Sequence, residues 1–261
     1  MSERMTDPLG RGMHGSYGFL LKRWVSRSVS HIVLPQEIIG SIRDSVEKNI
    51  AVYVMPSASS IDYLLLNFLC EKYDFPKAAF ATDVPFFMFQ PFWKGLGSGL
   101  RQSLSLRKQN APSLHEERQL LQHALSLGRS VCLFLKKPGM FRRPDRWHVL
   151  LWEQLLSTQR KIDRPISVIP VEFVWNRSPG SIHAMGPPTP LWKIRLLTQA
   201  PQSVEAKVGK PIPLVEFLES VSENRPEIQA KKLRRLLASR MYRERRVLTG
   251  RRLPHTARRI G

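Results

Sequence analysis

Residues 54–66 read Val54-Met55-Pro56-Ser57-Ala58-Ser59-Ser60-Ile61-Asp62-Tyr63-Leu64-Leu65-Leu66. An apolar segment typical of a buried strand runs into a proline and a loop of small polar residues, and an aspartate then opens an apolar run typical of a helix. Ser59 precedes Asp62 with the spacing of a capping box, in which the serine caps the helix and the acid supports its first turn. A strand that passes through a short polar loop into a helix is typical of α/β folds.

Outward from this loop, the hydrophobic pattern alternates between strands and helices. Strands are predicted at 50–55, 77–81, 130–136, 166–174 and near 203–208. Helices are predicted at about 36–48, 60–73, 113–127, 146–160, 213–221 and 226–246. The stretches 84–112 and 176–200 are rich in Pro, Gly and aromatic residues and are predicted to be less regular.

These elements predict a single α/β domain at residues 31–223, with a sheet flanked by helices. Residues 1–30 are predicted to form a leader and a basic amphipathic helix, which either packs on the domain or lies on a membrane. Residues 224–261 are predicted to form a basic C-terminal helix and tail.

The charge of the chain is unusual, whereas its size and apolar content are ordinary. The 261 residues are 42% hydrophobic, but 41 Lys and Arg against 21 Asp and Glu give a net charge of +20. Such an excess predicts attraction to nucleic acid, to an anionic membrane surface or to a phosphorylated substrate. No signal peptide is recognisable, and no apolar run approaches the roughly 18 residues of a spanning helix. The sequence thus predicts a cytoplasmic protein that meets a membrane only at its surface.

Cysteine and histidine patterns indicate neither a disulfide framework nor a metal site. The two cysteines, Cys70 and Cys132, are each flanked by apolar residues and are predicted to pack in the core. The seven histidines have no ligand spacing. The sequence therefore predicts no metal and no cofactor.

Further segments occur in a fixed order after residues 54–66. They are Phe89-Gln90-Pro91-Phe92-Trp93-Lys94-Gly95-Leu96-Gly97, Gly128-Arg129-Ser130-Val131-Cys132-Leu133-Phe134-Leu135, and Pro165-Ile166-Ser167-Val168-Ile169-Pro170-Val171 with the later Val204-Glu205-Ala206-Lys207-Val208-Gly209-Lys210-Pro211-Ile212-Pro213-Leu214. Together with the opening loop, they resemble the bacterial membrane-associated glycerol-3-phosphate acyltransferase family over roughly residues 50–220.

This resemblance implies a fold, a reaction and a location. The fold is an acyltransferase-type mixed sheet flanked by helices. The implied reaction of phospholipid synthesis moves an acyl chain from acyl-CoA or acyl carrier protein to glycerol 3-phosphate. The implied location is peripheral, on the inner face of the cell membrane. In the family, a histidine is followed by four residues and an aspartate, and the histidine removes a proton from the accepting hydroxyl.

The chain departs from the family at two motif positions. Ser57 stands at the position of the histidine, and Lys136 stands at the position of a glutamate that follows the later strand. Asp62 remains from the catalytic pair. A positioned general base contributes on the order of 10²- to 10⁴-fold to the rate, and a serine hydroxyl is not a base near neutral pH. A serine nucleophile is not favoured either, because the loop lacks a Gly-x-Ser-x-Gly elbow and no histidine can be placed beside it.

Two further groups of residues are candidate binding sites. The first group is predicted to bind phosphate, and the alternative is a solvated charged loop; its members are Lys136, Lys137, Arg142 and Arg143. The second group is predicted to line an acyl-chain groove or to contact lipid, and the alternative is core packing; its members are Phe86, Phe87, Phe89, Phe92 and Trp93.

Three hypotheses for the function follow. The first is a divergent acyltransferase whose base comes from elsewhere in the chain. The second is a noncatalytic relative that binds membrane lipid, an acyl donor or a protein partner. The third is a nucleic-acid-binding protein, suggested by basic residues of the 226–246 helix such as Lys231, Arg234 and Arg235. The third is disfavoured, because that helix has no nucleic-acid-binding motif and no stacking aromatics.

Overall fold

The computed structural model of the chain describes residues 25–27, 29–81, 114–136, 146–175, 190–200, 202, 204–222 and 225–249. The strands are β1 Ile50–Ser57, β2 Phe80–Ala81, β3 Val131–Lys136, β4 Ile166–Trp175, β5 Val204–Val208 and β6 Ile212–Pro213. The helices after residue 35 are α1 Gln36–Lys48, α2 Ser60–Tyr73, α3 Leu114–Ser126, α4 Arg146–Gln159, α5 Pro190–Gln199, α6 Leu214–Ser220 and α7 Pro226–Thr249.

Most of the elements predicted from the hydrophobic pattern are confirmed, several of them within one residue at each end. The prediction of irregular structure across 176–200 is wrong at its C-terminal part, because Pro190–Gln199 forms helix α5. This helix is short and begins at a proline, so the Pro- and Gly-rich residues before it hid its period. The strand predicted at 77–81 is reduced to Phe80–Ala81, and the short strand β6 precedes α6.

The strands form one mixed sheet. Its order is β2-β3-β1-β4-β5, and β6 also pairs with β4. Strand β1 is parallel to both β3 and β4, and β2 is parallel to β3, whereas β5 and β6 run antiparallel to β4. The predicted mixed α/β sheet flanked by helices is thus confirmed.

The sheet separates two hydrophobic cores, because successive side chains of a strand point to opposite faces. From β1, Tyr53 and Met55 enter the first core, whereas Val52 and Val54 enter the second. Helices α1, α2 and α5 contribute to the first core, and helices α3, α4, α6 and α7 contribute to the second. Each fully buried large apolar side chain stabilises the fold by about 1.5–3 kcal/mol.

The two cysteines lie in the first core. Both Cys70 and Cys132 are free and buried, so the prediction that they pack in the core is confirmed. Burial raises the pKa of Cys70 to about 12 and raises the pKa of Cys132 well above its usual value. Both thiols are therefore protonated near neutral pH.

The carboxyl ends of β1 and β3 form a switch point of the topology. After β1 the chain enters α2 on the first face, whereas the helix after β3, α4, lies on the second face. The two strands are neighbours, and Ser57 is paired with Lys136 at their carboxyl ends. Open α/β sheets bind their ligands outside the carboxyl ends of the strands at such a point. The fold thus positions the 54–66 segment where a binding site is expected.

No helix among the described residues combines the length and apolar character needed to cross a membrane.

Candidate functional site

The loop between β1 and α2 is built around a helix cap. Strand β1 ends at the exposed Ser57, and α2 begins at Ser60. Between them, Ser59 has an extended backbone, and its hydroxyl oxygen accepts a hydrogen bond from the N–H of Asp62 at 3.3 Å. The predicted capping role of Ser59 is confirmed, and the cap fixes the direction in which α2 leaves the sheet.

The Asp62 carboxylate is buried and contacts two other elements. Lys193 on α5 places its Nζ 2.6 Å from Asp62 Oδ2. Trp175, the last residue of β4, donates from its indole Nε1 to Asp62 Oδ1 at 3.1 Å. Asp62 therefore does more than support the first turn of its own helix. It joins α2 to β4 and α5.

Lys193 is the centre of this group of contacts. Its Nζ donates to Ser59 Oγ at 3.0 Å and lies 5.0 Å from the centroid of the Trp175 ring. Only 5% of Lys193 and 8% of Asp62 are exposed. We name Ser59, Asp62, Trp175 and Lys193 the aspartate–lysine cluster.

Burial controls the electrostatics of the cluster. Removal from water raises the pKa of the Asp62 carboxyl above its usual range, while the Lys193 ammonium and the hydrogen bonds with Trp175 and Ser59 oppose the rise. A buried ion pair persists only where its members are paired and hydrogen-bonded, because both charges have lost their hydration. The contacts on both carboxylate oxygens meet this requirement.

Lys193 and Trp175 were missed by sequence reasoning. They lie 131 and 113 residues from Asp62 along the chain. One feature of the sequence could have indicated Lys193: it is a single lysine within the largely apolar run Leu191-Trp192-Lys193-Ile194. A lysine among apolar residues is rarely buried unless it has a partner of opposite charge. In the described part of the chain, the cationic partner of Asp62 is this lysine.

A second feature lies at the carboxyl edge, on the other face of the sheet. A cleft of about 1200 Å³ runs between α4 and α7, and we name it the α4–α7 cleft. Its apolar or uncharged lining residues are Pro56, Ser57, Leu135, Val149, Leu150, Ala238, Met241 and Tyr242. Its charged lining residues are Glu153, Glu172, Glu227, Lys231, Arg234 and Arg235.

The charged residues of the cleft are held by α4, β4 and α7. Arg234 donates from Nη2 to the carbonyl oxygen of Leu135 at 3.1 Å, which attaches α7 to the end of β3. Lys231 pairs with Glu227 one turn earlier on α7 at 2.6 Å. Burial, together with the like charge of Glu227, raises the pKa of Glu153, while Arg118 and Lys231 oppose the rise. The cleft thus has apolar walls together with three acidic and three basic side chains.

The predicted site residues are placed as follows. Asp62 lies in the aspartate–lysine cluster, and Ser57 lies at the rim of the α4–α7 cleft. Lys136 ends β3 beside Ser57, but its side chain is outside the described part. The remaining predicted binding residues lie outside the described residues: Lys137, Arg142, Arg143, Phe86, Phe87, Phe89, Phe92 and Trp93.

Within the described ranges, no group of three or more His, Cys, Asp or Glu side chains could hold a metal ion. A scan of the chain against models of protein families matches none of them, and a search of curated proteins finds no significant match.

Proposed function

We propose that this chain is a glycerol-3-phosphate O-acyltransferase-like protein of phospholipid synthesis. It would move an acyl chain from acyl-CoA or acyl carrier protein to glycerol 3-phosphate. One observation carries the proposal: the segment that resembles the family's active-site loop, residues 54–66, ends β1 at the switch point of the sheet. A ligand is expected there on topological grounds alone.

Charge and cleft chemistry support the same proposal. The net charge of +20 favours an anionic membrane surface and phosphorylated substrates. In the α4–α7 cleft, whose lining also includes three glutamates, Lys231, Arg234 and Arg235 lie beside apolar side chains such as Leu150 and Ala238. Both substrates carry phosphate and one carries an acyl chain, so cationic and apolar groups are needed together. We place the protein peripherally on the cytoplasmic face of the cell membrane.

A second candidate function is favoured by the contacts of Asp62. Trp175 and Lys193 engage its two carboxylate oxygens, so the carboxylate is not free to orient a histidine in the family's manner. A noncatalytic relative would keep the fold and bind membrane lipid, an acyl donor or a protein partner without transferring the acyl chain.

An acyl-transfer assay separates the two candidates. The purified chain is incubated with labelled glycerol 3-phosphate and a panel of acyl-CoA and acyl carrier protein donors, and lysophosphatidate is measured. The first candidate predicts turnover, and absence of product with every donor would overturn it. The variant Asp62→Leu/Lys193→Met replaces the buried pair with apolar residues and should abolish turnover. Lys232→Gln, an exposed change outside the cleft, should retain it, and turnover that persists in the double variant would reveal a contaminating activity.

Binding to membranes is tested separately from activity. Flotation with anionic liposomes is compared with RNA binding at physiological salt, because salt screens nonspecific contacts of both kinds. Preference for liposomes is expected, whereas preference for RNA would favour the nucleic-acid hypothesis.

A further inference from the structure

Three side chains of the aspartate–lysine cluster have the arrangement of an activated nucleophile. The Nζ of Lys193 lies 3.0 Å from Ser59 Oγ and 2.6 Å from Asp62 Oδ2. Activated nucleophiles are characterised by a base about 2.6–3.2 Å away that a third group orients. Serine–lysine pairs are a known variant of this arrangement.

We propose that Ser59 is a nucleophile that accepts the acyl chain from the donor, with Lys193 as its base and Asp62 as the residue that positions Lys193. The proposal rests on the proposed function for the identity of the donor, a long-chain acyl thioester. In this reaction path the acyl chain is first transferred to Ser59 as a covalent acyl-serine, so the missing histidine is not needed.

The exposure of the three residues matches these roles. Ser59 is half-buried. Lys193 and Asp62 are buried. Ser59 is thus the most exposed of the three and is suited to meet a substrate, whereas the base is largely removed from water.

To act as a base, Lys193 must first pass a proton from its ammonium to the Asp62 carboxylate, whose Oδ2 is 2.6 Å away. Burial raises the pKa of the Asp62 carboxyl, so this carboxyl is a better proton acceptor from the Lys193 ammonium than an exposed aspartate would be. Transfer of that proton leaves a lone pair on Lys193 Nζ within reach of the Ser59 hydroxyl. Trp175 holds the carboxyl in place through Oδ1.

The start of α2 adds a site for negative charge. Ser59 is the N-cap of this helix, and its hydroxyl oxygen accepts a hydrogen bond from the N–H of Asp62. The positive end of the helix dipole therefore lies at the hydroxyl that would attack. This end of the dipole is suited to stabilise the oxyanion that forms on the thioester carbonyl.

The reaction balances without any other reagent. In the first half, Ser59 Oγ forms a bond to the thioester carbonyl carbon and the carbon–sulfur bond breaks. The proton of Ser59 passes to Lys193 and then to the departing thiolate. In the second half, a hydroxyl of glycerol 3-phosphate gives its proton to Lys193 and attacks the acyl-serine. The carbon–oxygen bond to Ser59 breaks, and Ser59 recovers the proton.

The test uses two probes and leaves the fold intact. The full chain is treated with a fluorophosphonate, which modifies activated serines, and separately with palmitoyl-CoA, and each adduct is located by peptide mass spectrometry. We expect both adducts on Ser59. Ser59→Gly should lose them, and glycine is itself a favoured N-cap residue, so the start of α2 is kept. Ser60→Ala, one residue along, should be labelled like the wild type.

Lys193→Met tests the base. We expect the labelling rate of Ser59 to fall by about 10²- to 10⁴-fold. Circular dichroism and an unfolding curve confirm that the variant is folded under the assay conditions. Labelling of another residue, or equal labelling rates in wild type and Lys193→Met, would overturn the inference.

Failure of this inference and failure of the proposed function give different results. If wild type and Ser59→Gly form lysophosphatidate equally well, the chain is an acyltransferase but Ser59 is not its nucleophile. If Ser59 is labelled by the fluorophosphonate but no lysophosphatidate forms, Ser59 is an activated nucleophile but the proposed reaction is wrong. If neither labelling nor product is seen, both are wrong.

Discussion

Two ion pairs on opposite faces of the sheet have the same nitrogen–oxygen distance and different surroundings. Lys193 and Asp62, in the aspartate–lysine cluster, are 2.6 Å apart with side chains 6% and 12% exposed. Lys231 and Glu227, at the α4–α7 cleft, are also 2.6 Å apart but are 48% and 61% exposed. An exposed pair contributes about 0–1 kcal/mol, whereas loss of one member of a buried pair costs about 3–5 kcal/mol. Burial, not distance, sets the importance of each pair.

The difference extends from the pairs to the two faces around them. On the first face, one buried lysine is held by a carboxylate, a hydroxyl and an indole ring. On the second face, acidic and basic side chains line a cleft of about 1200 Å³. The buried group is suited to hold a proton in a defined position, and the cleft is suited to receive a ligand.

Thiol reactivity should show the largest contrast between the two faces. Because the pKa of Cys70 is raised to about 12, its thiolate fraction at pH 8 is about three orders of magnitude below that of a free thiol. Cys132 is buried in the same core. We expect neither to react with a thiol reagent in the native protein, and both to react in denaturant.

Ala238→Cys places a thiol at the exposed rim of the cleft and should react at the rate of a free thiol. Comparable native labelling of Cys70 would contradict its burial in the first core.

Breaking the buried pair should give the largest loss of stability. Lys193→Met leaves the Asp62 carboxyl without its cation, and we expect the free energy of unfolding to fall by about 3–5 kcal/mol in urea denaturation. Asp62→Leu/Lys193→Met should recover most of that loss, because no buried charge is left unpaired. A single variant within 1 kcal/mol of wild type would mean that the pair is not buried as the structure has it.

Removing the third contact of Asp62 should have an intermediate effect. Trp175→Phe keeps a ring but deletes the Nε1 donor to Oδ1, and hydrogen bonds to charged groups contribute about 1.5–3 kcal/mol. We expect a loss of stability in that range. In the Asp62→Leu/Lys193→Met background the same substitution should cost less, which a double-mutant cycle measures. Equal costs in both backgrounds would assign the effect to packing of the indole alone.

Breaking the exposed pair should have the smallest effect. Glu227→Gln removes the partner of Lys231, and we expect a change of no more than about 0.5 kcal/mol, reduced further by added salt. A loss comparable to that of Lys193→Met would remove the distinction between the two faces.

Local patterns accounted for much of the fold. The bounds of α1 and α2 followed from apolar periodicity, and the helix cap at Ser59 followed from its spacing to Asp62. These features depend on residues only a few positions apart, so they can be predicted from the local sequence. Helix α5 was missed because its ten residues span less than three turns and follow a Pro- and Gly-rich stretch.

The sequence by itself determined the alternation of strands and helices, the burial of the two cysteines and the position of Asp62 at the start of α2. Only the tertiary structure decided what Asp62 contacts, because Lys193 and Trp175 come from elements 131 and 113 residues away. It also decided which charged residues of α4, β4 and α7 share one cleft. Propensity and capping act within a few residues, whereas the pairing of a buried charge depends on how whole elements pack.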